Sequence, residues 1–242
     1  MIVQCDLHIH SCLSPCADQD MTPGNIVSMA KLKGLQVIAV TDHQTCGNCA
    51  AVMSMAEKLD GPLVLPGLEV ESQEEIHLVC LFPELEAALA FAAEIRQNLP
   101  ERSNRIDIFG EQTLCGEDDD AIGCEELLLL QACNLNCDEI VGKTTALGGV
   151  CIPAHIDRES NSILTVLGRI PQGFPVSAFE ISGRADESAL LLKHPELAGC
   201  QFIRSSDAHR LADIAEPGWP LDVSSFPTGN AGRRNVLKAL RL

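Results

Sequence analysis

Seven histidines occur in 242 residues. Two of them, His8 and His10, stand one residue apart in the opening stretch MIVQCDLHIHS. Side chains two apart on a strand face the same side. Two imidazoles placed that way can grip one cation. Four more histidines share a setting, at or just past the end of a strand-like run and often beside an acid. They are His43 in VTDH, His77 in EEIHLV, His155 in IPAH and His209 in SSDAH. Asp207 and His209 repeat the two-residue spacing with a carboxylate. His194, in LLKHPEL, reads as a surface-helix residue. Imidazole and carboxylate oxygen suit zinc, manganese and iron. No cysteine lies in DLHIH, VTDH, EEIHLV, IPAH or SSDAH, which fits hydrolytic rather than structural metal chemistry. One histidine on an apolar strand is usually a satisfied core residue. Six in one context call for a shared pocket.

The elements that would hold them alternate along the chain. Strand-like runs cover Ile2–Leu7, Leu35–Val40, Leu63–Leu65, Ile76–Phe82, Val150–Pro153, Ala178–Ile181 and Gln201–Arg204. Helical patterns cover Thr22–Lys33, Cys49–Leu59, Glu84–Asn98, Glu125–Ala132, Asp138–Leu147, Ile163–Leu167, Glu187–Leu192 and Asn230–Leu240. The first has Thr22 as N-cap, Pro23 in its first turn and Gly34 as its stop. Such alternation predicts an α/β fold with a mainly parallel sheet. Strand C-termini then converge on one face, where scattered histidines can meet. Residues 100–124 are polar and turn-rich, and read as an excursion from one domain spanning residues 1–242. Residues 213–229 are rich in Pro and Gly and hold the only tryptophan, Trp219.

The formal net charge of −17 argues against a broad surface for long nucleic acid or anionic membrane, which needs a positive field. It leaves room for a small anion, because bound divalent cations reverse the local sign. Seven Phe, one Trp and no Tyr leave little for base-stacking platforms. No apolar run approaches the length of about 18 residues that a membrane span needs. No signal peptide is read, so a cytoplasmic setting is expected. There the twelve cysteines read as reduced thiols. Cys46-x-x-Cys49 follows VTDH directly and supplies only two thiolates. It reads as two reduced loop and helix residues in preference to a redox pair or extra metal site.

Together these stretches resemble the PHP (polymerase and histidinol phosphatase) family. DLHIHS is similar to its first motif, VTDH to its second, PGLEVES with EEIHLV to its third and SSDAH to its fourth. IPAHIDR resembles the strand-end histidine between the third and fourth. The resemblance covers nearly the whole chain. It implies a distorted (β/α)7 barrel holding two to three divalent metal ions (Zn, Mn or Fe). It implies His8, His10, His43, Glu69, His77, His155, Asp207 and His209 as ligands, with Glu69 bridging two cations. Where relatives carry a short HSxxSDG stretch, this chain has HSCLSPCADQDMTP; Asp18 matches the family's ligand best and Asp20 is its rival. Asp42 is expected to orient a ligand by hydrogen bond.

The activity implied is metal-dependent phosphoester hydrolysis of a small metabolite or nucleotide by a metal-activated hydroxide. Arginine forks suit phosphate. Arg158 is the first candidate, as both a catalytic and a substrate-binding residue, followed by Arg102 and Arg105 and then Arg184. The alternatives are a 5′–3′ exonuclease on short oligonucleotides and a metal-binding regulatory module without activity. Filled ligand positions count against the last.

Overall fold

Strand β1 (Ile2–Ile9) carries His8, and His10 follows its last residue, in a computed structural model that describes residues 1–241. It pairs in parallel with β2 (Val37–Val40), and β2 pairs in parallel with β3 (Leu63–Glu71). The chain then reverses. Strand β4 (His77–Leu81) lies antiparallel to β3. A small hairpin follows, β5 (Thr113–Cys115) with β6 (Ala121–Cys124), apart from the main sheet. Strand β7 (Val150–Pro153) returns antiparallel to β4, and β8 (Ala178–Ile181) and β9 (Gln201–Arg204) form a separate parallel pair. Strand β10 (Pro220–Asp222) closes against the free edge of β1.

Seven of these strands are staves of a distorted (β/α)7 barrel: β1 to β4 and β7 to β9. The ladder thins at two seams. Between β7 and β8 it is continued by Ile156 N–H donating to Glu180 O at 2.8 Å, and between β9 and β1 by His10 N–H donating to Ala208 O at 2.9 Å. Helices α1 (Pro23–Leu32), α2 (Cys49–Lys58), α3 (Leu85–Gln97), α4 (Ile106–Phe109), α5 (Cys137–Ala146), α6 (Ile163–Leu167), α7 (Glu187–Lys193) and α8 (Gly229–Ala239) complete the chain. Thr22 caps α1 through its side chain, and Asn136 and Glu139 form a reciprocal capping box on α5.

The structure departs in detail from expectation at four points. The third strand-like run continues through Pro66 and Gly67 to Glu71, because β4 packs so close that a Cβ at Gly67 would meet Cys80 O at 2.8 Å. The mainly parallel sheet has one reversed stave, β4. The helix over Glu125–Ala132 does not form. The buried Gln112 takes its backbone instead, donating to Glu125 O and Leu127 O at 2.7 Å and accepting from Leu129 N–H at 2.9 Å. His194, too, is buried rather than on the surface.

All twelve cysteines are free. Cys49 bonds Val40 O and Gly67 O at 3.4 Å, inside the core cluster it shares with Cys46. The hydrogen bond with Cys46 and burial hold its thiol well above the ordinary value. These are core thiols.

Candidate metal centre

Ligand-bearing stretches reach the barrel mouth from different staves. His8 and His10 come from the end of β1, His43 follows β2, and Glu69 lies on β3. His155 follows β7, and Asp207 and His209 follow β9. His77 is the first residue of β4. Because β4 runs backwards, its start lies where the other staves end. That is how a strand-start histidine joins strand-end partners.

Glu69 lies at the centre and is buried. Its Oε1 is 3.0 Å from His77 Nδ1 and 3.3 Å from both His8 Nε2 and His155 Nε2. Its Oε2 is 3.1 Å from His43 Nδ1 and 3.3 Å from His10 Nε2. Asp207 Oδ1 lies 3.1 Å from His10 Nε2 and 3.3 Å from His8 Nε2. Three groups of side chains bring ligand atoms within 4.8 Å of one another: His8, His10, Glu69 and Asp207; His43, Glu69 and His77; His10, His43 and His209. All six histidines of the shared pattern, with Glu69 and Asp207, meet here.

Hydrogen bonds fix which nitrogens are bare. His8 Nδ1 faces the Glu180 carboxylate at 3.0 and 3.1 Å, so Nδ1–H donates. His10 Nδ1 lies 2.9 Å from Ser14 Oγ, whose own proton goes to Asp42 Oδ1 at 2.7 Å. Ser14 therefore accepts from His10. His209 Nδ1–H donates to Asp207 O at 2.8 Å. Neutral His8 and His10 thus turn two bare Nε2 atoms toward each other at 3.1 Å, beside two carboxylates. Four acceptors converging on one point suit a cation between them. Among the described residues, buried Asp207 Oδ1 and His155 Nδ1 have no hydrogen-bond partner. The donor set of imidazole and carboxylate fits zinc, manganese or iron.

The electrostatics agree. Burial opposes charge on His8, yet Glu180, Glu69 and Asp207 outweigh it and hold the imidazole well above its ordinary value. Burial is likewise outweighed at His10, where Asp207 and Glu69 raise the pKa to about 9. Glu69 is held well below the carboxylate range against its burial, chiefly by His77, His8 and His43. Burial, then the charge on His10, push His43 well below the ordinary value and His209 down to about 4. The carboxylates thus favour positive charge at His8 and His10, while burial and His10 disfavour it at His43 and His209.

Two of the expected ligands have left-handed backbone, His155 at φ 30° and Asp207 at φ 52°. Such residues cost about 1–3 kcal/mol each and persist where the surroundings over-determine them. Glu180 Oε1 accepts from His155 N–H at 3.3 Å while holding His8. Arg158 Nη1 donates to Asp207 Oδ2 at 2.5 Å.

Other expected residues sit differently. Asp42 accepts from Ser11 N–H and Oγ–H and from Ser14 Oγ–H, so it reaches His10 only through Ser14. The Arg158 arm on Asp207 makes that residue a partner of a ligand. Arg105 forks onto Asp107 at 2.9 and 2.6 Å, and Arg102 and Arg184 are exposed. Asp18 is 58% exposed and faces Arg210 Nε at 3.6 Å, so the structure does not bring its carboxylate into the cluster. Asp20 is exposed as well. Sequence reasoning missed Glu180, Ser11 and Ser14. An acid on the inward face of the apolar run AFEI was the available signal for Glu180; the serines gave none.

A parallel-staved barrel with histidines and carboxylates gathered at its mouth is the architecture of metal-dependent hydrolases. The family model described as PHP domain matches residues 6–188, and the chain belongs to that family of metal-dependent phosphoesterases. An uncharacterized protein of Methanocaldococcus jannaschii is 32% identical over 155 residues, covering 64% of this chain and 16% of that protein. The lesion-specific endonuclease Q of Pyrococcus furiosus superposes over 98% of this chain and 56% of its own, with TM-score 0.68 and 20% identity. A Bifidobacterium adolescentis protein assigned as a metal-dependent phosphoesterase superposes over 97% of this chain and 96% of its own, with TM-score 0.61 and 17% identity. These structural likenesses show the fold. The chain spans about half of the endonuclease and a smaller share of the archaeal protein.

Proposed function

We propose that the chain hydrolyses a phosphomonoester or phosphodiester of a small metabolite or nucleotide. The observation that carries this reading is the convergence of five imidazoles on Glu69, with the bare nitrogens of His8 and His10 fixed by partners behind them. His8, His10, His43, Glu69, His77, His155, Asp207 and His209 would hold two or three divalent cations. Such cations supply a water acidified to a pKa of about 7 and a Lewis acid for the phosphoryl oxygen. The chain's own work is positional. Glu180 and Ser14 keep the His8 and His10 lone pairs aimed inward. Asp42 holds Ser14. Arg158 holds one oxygen of Asp207 and leaves the other toward the cluster. Arg158, Arg102, Arg105 and Arg184 remain the candidates for meeting substrate phosphate, with Arg105 first having to leave Asp107. The excursion over residues 100–124 would form a wall of the substrate pocket. It meets the first two motifs directly: Thr113 N–H donates to Cys12 O, and Asn48 bridges Ser11, Thr113 and Cys115.

A second reading is nuclease action, which the likeness to a lesion-specific endonuclease over 98% of this chain favours. The net charge of −17 favours short oligonucleotides over long duplexes. An inactive regulatory module fits poorly with eight converging ligand groups. Twelve free thiols support a reducing, cytoplasmic setting. Among the described residues, no helix is long and apolar enough to cross a membrane. The test is a phosphate-release and cleavage screen with manganese or zinc, over phosphorylated metabolites, di- and trinucleotides and lesion-bearing duplexes. Turnover of metabolites or short oligonucleotides supports the first reading. Turnover of duplexes alone selects the second, and none with any substrate in loaded protein refutes both.

A further inference from the structure

Asp6 stands two residues before His8 and is fully buried. Among the described residues it has no ion pair. Its carboxylate instead accepts three hydrogen bonds from one distant segment: Ser206 N–H at 2.9 Å, Ser206 Oγ–H at 2.6 Å and Ala215 N–H at 2.9 Å. That segment carries Asp207 and His209. Ser206 Oγ also accepts from Ala208 N–H at 3.1 Å, which helps hold the left-handed turn at Asp207.

The same device occurs twice more. Asp42, beside His43, accepts from Ser11 N–H at 2.7 Å and Oγ–H at 2.6 Å, next to His10. Asp157, two residues past His155, accepts from Ser182 N–H at 2.7 Å and Oγ–H at 2.5 Å, two residues past Glu180. Each pair joins two strand ends that carry ligands or the partner of a ligand. A buried carboxylate is costly unless its acceptors are met. Asp6 and Asp42 are buried and Asp157 is half-buried, and serine donors at the barrel mouth meet the acceptors of all three.

We propose that these three carboxylate–serine clamps are the positioning residues of the metal centre, with Asp6 building the Asp207–His209 half. The proposal rests on the reading that Asp207 and His209 ligate cations. Asp6 touches no cation and no substrate. It acts by closing the turn that presents both ligands. An apolar residue at position 6 would fill the strand equally well but leave Ser206 and Ala215 N–H without their acceptor.

The test compares wild type with Asp6→Asn, Ser206→Ala and Ser206→Thr. Amide hydrogen exchange on metal-free protein should quicken at Ser206 and Ala215 in Asp6→Asn. The Ser11 amide, held by Asp42, should stay protected. Manganese titration should show the Asp207-side cation bound about 10- to 100-fold more weakly in Asp6→Asn and Ser206→Ala. Ser206→Thr, which keeps the hydroxyl, should restore it. Unchanged exchange and unchanged manganese binding in Asp6→Asn would overturn the proposal. If Asp6→Asn does not fold, equal manganese affinity in Ser206→Ala and Ser206→Thr overturns it instead. Wild type that binds no manganese would sink the metal reading, while the exchange arm still reports on the clamp.

Discussion

The two halves of the metal centre are built differently. On one side His8, His10 and His209 each have Nδ1 tied to a fixed acceptor, respectively Glu180, Ser14 and Asp207 O. On the other, His43 and His77 turn Nδ1 directly to Glu69, and His155 Nδ1 has no partner. The braced half has its tautomers set in advance, so a cation meets aimed lone pairs. The other half relies on Glu69 itself. We read the braced half as the tight site and the other as the exchangeable one.

Removing what both halves share should have the largest effect. Glu69→Gln should abolish stable binding on both sides and cut turnover by about 10³-fold or more, the scale of losing several kcal/mol of charge stabilisation. Elemental analysis with steady-state kinetics checks it, and full metal content would refute the bridging role. Next come the braces. Glu180→Gln can present its amide to His8 Nδ1 and free the wrong tautomer, so metal affinity should fall about 10- to 100-fold. Ser14→Ala should act in the same direction and chiefly on the braced half, with a smaller effect at His43, whose N–H donates to Ser14 Oγ at 3.2 Å. Equal losses on both sides would erase the distinction between the halves. Graded chelation should then strip the cation of His43 and His77 first, read as two phases of metal release. A single phase would mean the halves are equivalent.

Proton competition gives a further measure. Ligand nitrogens must lose their protons before a cation binds. The His10 pKa is raised to about 9 and that of His8 also lies above its ordinary value. Apparent affinity should therefore rise with pH between about 6 and 9, by about one log unit per pH unit for each proton displaced. A flat profile would show that His8 and His10 are not ligands. Smallest of all, Arg105→Ala should leave the denaturation midpoint essentially unchanged, because its pair with Asp107 is exposed. A large loss of turnover with stability intact would move Arg105 into the substrate pocket.

Much of the braced half was legible in the chain. His8 and His10 share a face because strands repeat every two residues, and Asp207 and His209 repeat the spacing. The N-terminus of α1 was legible too, since Thr22-Pro23 carries its own local chemistry. Glu180 was not, because its meaning depends on a seam between β7 and β8 that no local pattern announces. Nor was the reversal of β4, since an apolar strand reads alike in either direction. The run ELLLLQA reads as helix by propensity, and only the distant Gln112 side chain explains why it is not. Asp18 shows the limit of counting along a motif: Arg210, far away in sequence, faces its carboxylate on the outside.

The longer segment that contains residues 100–124 leaves the barrel after Asn98 and returns at Asn134, for Asn134 N–H donates to Asn98 O at 2.8 Å. A segment whose two ends are bonded neighbours can be exchanged as a cassette with little disturbance to the scaffold beneath. Catalytic power and choice of substrate would then be separately heritable, one written into the staves and the other into a replaceable loop.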